Sequence, residues 1–258
     1  MKKFFIIFIV FLVIGVGLFL GVYEKGELGD NVTYTLNRIT GKVVISGTGE
    51  MWDEHGEPFN DNIFLKSAVI EEGVTNIAPK LFRMTDITSV TIPDSVTSIG
   101  SEAFASTNIT NISIPNVVVI EEYAFFSCYD LTSVELSEGL QSIGWDAFRD
   151  CANLTLISLP STLTEIGQTA FNGCSSLRSI IIPDSITELT LNSFGNCTAL
   201  EELTIGSSVN LINFGAFSNC SNLKNIYYKG TRQQWSAVAL LDEEAQKYFN
   251  NATMHFAE

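Results

Sequence analysis

Hydrophobic and polar positions recur along most of this chain with a period close to 23 residues. Each unit carries an alternating aliphatic pair, such as Val134/Leu136, Ile157/Leu159 or Ile180/Ile182. Period two predicts a short strand with one buried face. Proline often closes it, at Pro93, Pro115, Pro160 and Pro183. A second aliphatic segment, as in Val96-Thr-Ser-Ile99, predicts another short strand or extended run, and Gly100, Gly144 and Gly167 punctuate the coil. A phenylalanine follows, at Phe82, Phe104, Phe125, Phe148, Phe171, Phe194 and Phe217, preceded in all but the first by a small residue. Cysteine follows three residues later, at 128, 151, 174, 197 and 220, with Thr85 and Thr107 in the first two units. The Ala-Phe-x-x-Cys segment is too short for an ordinary helix and predicts a single helical or 3₁₀ turn. Each unit holds about five apolar positions and cannot bury them alone, whereas stacked neighbours bury them together. The pattern therefore predicts a solenoid of about eight coils, over residues 65–228.

Both ends break the pattern. Val32-Thr-Tyr34-Thr-Leu36 and Val43-Val44-Ile45 alternate around a turn near 37–41, which predicts a β-hairpin cap over 31–64, with Trp52 packed on the first coil. After Tyr228, Thr231 and Gln234 form a capping box that opens a short helix to about Leu241. A second helix is expected at 242–249, with acids in its first turn, and an edge strand at 252–256. The C-terminal cap spans 229–258. With both ends covered, the chain is expected to be complete.

The stretches SVTIPDSVTSIGSEAFAS (89–106), SVELSEGLQSIGWDAFRDC (133–151) and SIIIPDSITELTLNSFGNC (179–197) resemble the BspA-like leucine-rich repeat surface proteins of bacteria. GKVVISGTGEMWD resembles the leader segment before such repeats, and IYYKGTRQQWSAV their usual close. The resemblance implies a right-handed leucine-rich repeat solenoid, β-rich with short helical or 3₁₀ turns. It also implies binding to host proteins, matrix or other bacteria.

Residues 4–23 are uncharged and apolar, about the length that crosses a bilayer as a helix, and Lys2 and Lys3 precede them. This predicts a single-pass anchor in the cell membrane with the solenoid outside. A cleaved signal peptide, giving a secreted protein, is the competing reading. Residues 24–30 read as a short linker. Without the two leading lysines the chain has 12 basic and 29 acidic residues. That balance disfavours nucleic acid and anionic lipid as partners of the solenoid. Evenly spaced cysteines on parallel coils point the same way, and their number is odd, so buried thiols are expected rather than disulfides. The sequons, among them Asn108, Asn153, Asn196 and Asn219, arise from the repeat's use of Asn and Thr at turns.

Catalytic chemistry finds little footing. The histidines, His55 and His255, lie near opposite ends. No P-loop, dinucleotide fingerprint, zinc spacing or calcium loop is present, and no cofactor is expected. A binding face remains. The residue between the strand aliphatics points outward, giving a column Thr91, Ser113, Glu135, Ser158, Ile181, Thr204, Tyr227. A flanking column runs Ser89, Asn111, Ser133, Leu156, Ser179, Glu202, Asn225. Glu135, Leu156, Ile181, Glu202, Thr204 and Tyr227 are the candidate partner-binding residues. The expected function is a non-catalytic cell-surface binding or adhesion module for an extracellular protein or cell-surface ligand. The alternative is a structural spacer or assembly partner in the cell envelope, and a site at the cap around His55 is the remaining enzymatic reading.

Overall fold

The structure, a computed structural model, describes residues 22–53, 58–59, 62, 64–241 and 243–257. The apolar 4–23 stretch falls almost wholly outside them, as does His55. Among the described residues no helix is long and apolar enough to cross a membrane.

The chain is a β-solenoid of about eight coils. Two rows of parallel strands run its length. The first row begins at the N-terminal cap and passes through Ser67–Ile70, Ser89–Thr91, Asn111–Ile114, Ser133–Leu136, Leu156–Ile157, Ser179–Ile181, Glu202–Ile205 and Asn225–Tyr228, ending at Thr253–Phe256. The second row is built of two-residue strands from Asn76–Ile77 to Ala239–Leu240. Alternate aliphatic side chains of the first row, such as Ile112, Ile180 and Leu203, and the second residue of second-row strands, such as Ile99 and Ile143, point inward and are buried. Gly144 and Gly167 lie so close to the preceding coil that a Cβ would meet its backbone at 2.6 and 2.5 Å, which is why the coil needs glycine there.

The third side differs from expectation. The Ala-Phe-x-x-Cys segment is a run of turns and not a helical turn. Alternate N–H groups close four-residue turns inside the coil, as Ala105 to Glu102 does, while the others reach the next coil, as Phe104 does to Ala124 at 2.8 Å. Two residues per coil adopt positive φ to achieve this, four positions apart: Glu102 and Ser106, Asp146 and Asp150, Asn192 and Asn196. Left-handed backbone costs roughly 1–2 kcal/mol for most residues. The cross-coil bonds offset it, because backbone groups buried without partners would cost more.

Inside this corner the phenylalanines stack. Phe82, Phe104, Phe125, Phe148, Phe171, Phe194 and Phe217 are all fully buried. Neighbouring rings lie 5.0–5.6 Å apart and within 17° of parallel. Phe59 extends the ladder by one coil, 5.8 Å from Phe82. Tyr34 of the cap meets Phe59 edge-on at 4.9 Å, and Phe249 closes the other end at 5.6 Å from Phe217.

The cysteines are buried thiols, each donating to the phenylalanine carbonyl of the preceding coil: Cys128 to Phe104 at 3.0 Å and Cys151 to Phe125 at 3.2 Å. Thr107 gives its hydroxyl to the Phe104 carbonyl of its own coil at 2.8 Å. Threonine and cysteine thus serve the same acceptors. Burial pushes the Cys128 thiol up to about 11.

The ends correct several expectations. Residues 24–30 are not a linker: β1 (Tyr23–Glu27) pairs antiparallel with β2 (Val32–Asn37), and β2 with β3 (Lys42–Gly47). Glu24 fixes β1, accepting from Tyr34 at 3.1 Å and from Arg38 at 2.6 Å. Trp52 stays half-buried and donates to Asp30, while Met51 takes the buried position. At the other end the Thr231 capping box is present, but α1 spans only Arg232–Trp235. The chain is then drawn into the second strand row, where Ala239 pairs with Leu211. A second helix, α2 (Glu243–Asn251), buries Ala245 and Phe249 against the last coil.

Phe171→Ala should lower unfolding free energy by about 3–5 kcal/mol, since a buried aromatic leaves a cavity in an ordered stack; an unchanged urea midpoint would contradict the ladder. Ser193 occupies a site that is alanine in most other coils, and its hydroxyl is buried without a hydrogen-bond partner. Ser193→Ala should therefore raise stability by about 1–2 kcal/mol, read from the same urea titration. The thiols should react with a thiol-specific reagent at pH 8 only as fast as the protein unfolds, and adding reductant should leave the melting midpoint in place.

Candidate functional site

The first strand row presents one long face to solvent. Its alternation sends every second side chain outward, and parallel register stacks these into straight columns. Ile181 lies opposite Thr204, Thr204 opposite Tyr227, and Tyr227 opposite His255. Beside them Ser179, Glu202, Asn225 and Thr253 form the flanking column. Further back, Ser133 lies opposite Leu156, and Glu135 opposite Ser113. All six candidate residues thus share one face. Glu202, Thr204 and Tyr227 form a tight group with Ile181, while Leu156 and Glu135 lie one and two coils away.

The face changes character along its length. In the early coils the outward groups are Ser89, Thr91, Asn111 and Ser113, small and polar. Later coils expose Leu156 at 67%, Ile181 at 58% and Tyr227 at 38%. His255 was not legible as part of this face. It stacks on Tyr227 with ring centroids 4.5 Å apart and 13° between planes. Its Nε2 lies 3.2 Å from the Asn225 Oδ1. The sequence hides this because residues 229–252 depart from the repeat before the chain re-enters the row.

Charges flank the apolar group. Lys224 sits 2.7 Å from Glu201, and Arg178 lies 4.0 Å away on the other side. The Lys224 hydrogen bond and charge hold the Glu201 carboxyl below the usual carboxylate range. The groups on offer are apolar, hydroxyl, amide and carboxylate, suited to contact over an area. Among the described residues no cluster of His, Cys, Asp or Glu suits a metal ion. A recess lined by Asp30, Glu50, Trp52 and Asp53 opens at the N-terminal cap.

The repeat, the two strand rows and the turn corner define a leucine-rich repeat protein. The model of the BspA type leucine rich repeat region matches in six copies across residues 56–157 and 142–243, and the chain belongs to that family. No curated protein sequence matches it. Among solved structures, a Treponema pallidum leucine rich repeat protein has a TM-score of 0.55 and 25% identity, over 74% of this chain and 86% of that one. A leucine-rich repeat protein from Bacteroides ovatus has a TM-score of 0.55 and 22% identity, over 78% of this chain and 56% of that one. A leucine rich cell surface protein from Faecalibacterium prausnitzii matches at 26% identity and a TM-score of 0.43, over 70% of this chain and 64% of that one. This chain thus spans less than two thirds of two of these relatives.

The exposed apolar residues do not hold the fold. Leu156→Ser and Ile181→Ser should each change unfolding free energy by no more than about 0.5 kcal/mol, as for other surface positions. A urea titration of each variant checks this, and larger losses would mean that the side chains are structural.

Proposed function

We propose that this chain is a non-catalytic binding or adhesion module of the cell surface, which presents its first strand row to a protein or cell-surface partner. The observation that carries this reading is the apolar group of Leu156, Ile181 and Tyr227, exposed among small polar neighbours on one face of the strand row. Such groups anchor a partner at low entropic cost, because the backbone beneath them is already fixed. Tyrosine adds an amphipathic ring, enriched in hot spots. Glu135, Glu202 and Thr204 supply the polar rim. Family membership supports a binding role in general terms.

The second reading is a spacer or assembly partner within the envelope. Its support is the same rigidity: an elongated stack holds two points at a set distance without needing a ligand on its face.

The full chain in mild detergent should be screened against matrix proteins, host cells and bacterial surfaces. Saturable binding is expected, weakened at least ten-fold by Tyr227→Ala or Ile181→Ser. Binding that ignores both variants would move the site elsewhere, and no saturable binding across the panel would favour the spacer.

A further inference from the structure

A second apolar line runs along a different edge of the coil, at the corner between the second strand row and the turn run. It is made by the residue three positions before each ladder phenylalanine. In early coils that residue is Ser101 or Glu122; later it is Trp145, Gln168, Leu191 and Phe214. Backbone bonds hold the column in register. The Tyr123 N–H donates to the Trp145 carbonyl, that of Thr169 to Leu191, and that of Asn192 to Phe214. Trp145 is 53% exposed, Leu191 40% and Phe214 58%. Phe214 lies ten residues from Thr204 and Leu191 ten from Ile181, nearly half a repeat, so this corner is separate from the first strand row.

The charge around the line is of one sign. Six segments build the corner: 97–102, 118–123, 141–146, 164–169, 187–192 and 210–215. Together they hold six carboxylates and no lysine or arginine. Glu102 pairs with Lys80 and Arg83, and Asp146 with Arg149, all from the turn run. Glu122, Glu165 and Glu188 are exposed, and no described lysine or arginine pairs with them. Glu165 and Glu188 stand three residues before Gln168 and Leu191, so they form a column beside the apolar one.

The two columns set conflicting demands on most partners. Glu188 accepts from the Asn213 amide, but no described cation meets either carboxylate, so covering Leu191 and Phe214 with a neutral apolar surface would strip water from Glu165 and Glu188 and supply no opposite charge. An anionic surface would be repelled. A cationic one with apolar side chains meets both demands, and opposite charge also speeds encounter. We infer that this corner is a second interaction surface, which takes a cationic polypeptide segment. Its apolar side chains sit against Trp145, Leu191 and Phe214, and its lysine or arginine groups meet Glu165 and Glu188.

The test uses the full chain in mild detergent and a 16-residue peptide of alternating lysine and leucine. Carbodiimide joins peptide lysines to carboxylates in contact, and mass spectrometry maps the links. Links concentrated at Glu165 and Glu188 are expected. Their yield should fall at least ten-fold in Leu191→Ser/Phe214→Ser, persist in Ile181→Ser/Tyr227→Ala, and fall ten-fold with a lysine–serine peptide. Circular dichroism melting confirms that each variant is folded. Links spread evenly over the chain's carboxylates would overturn the inference, and so would equal yield from the double serine variant or from the lysine–serine peptide.

Discussion

Hydrogen bonding between neighbouring strands sets their separation at about 4.8 Å, and everything inside this molecule must repeat at that spacing. Flat rings meet the requirement. Phenylalanines stacked with centroids 5.0–5.8 Å apart, nearly parallel, fill the core without forcing the coils apart or leaving gaps. Offset-stacked pairs of this kind add about 0.5–1.5 kcal/mol beyond their burial. The small residue before most rings and the thiol or hydroxyl after them follow from the same constraint. Both must fit between layers whose spacing they do not set.

The turn corner shows how much backbone distortion that spacing can sustain. Two residues per coil take positive φ so that alternate N–H groups face the next layer. The later coils place Asn, Asp or Gly at most of these positions, residues that tolerate the left-handed region. Earlier coils use Lys80, Met84, Glu102 and Tyr123 there, with no such tolerance. Cross-coil bonding overrides local preference in those layers, which is why residue type alone does not reveal the turns.

The scaffold was legible because its constraint is periodic. Phenylalanine, cysteine, glycine and the strand aliphatics recur at fixed offsets, and each offset has one physical cause. What escaped lies where the period fails. Phe59 joins the ladder from Glu-Pro-Phe-Asn, without the usual alanine before it. Strand β1, Tyr-Glu-Lys-Gly-Glu, has no apolar face; backbone pairing and Glu24 hold it, and neither leaves a hydrophobic signature. The outward column of Ile181 and Tyr227, with Leu156 in the column beside it, could be read from strand alternation, while His255 returns to it only after the chain has wandered through two helices. Trp145, Leu191 and Phe214 occupy a variable position of the repeat, so nothing but the register of the folded coils aligns them.

The thiol bonds run in one direction. Each cysteine hands its proton toward the coil before it, so a layer completes its predecessor and is completed by its successor. The stack therefore has a sense, like a row of tiles each overlapping the last. Material can be added or lost only in whole tiles, of 21 to 23 residues here, since a part-coil would turn donors away from acceptors in every later layer. Length in such a protein is quantised, and the reach of its faces changes in steps of one coil.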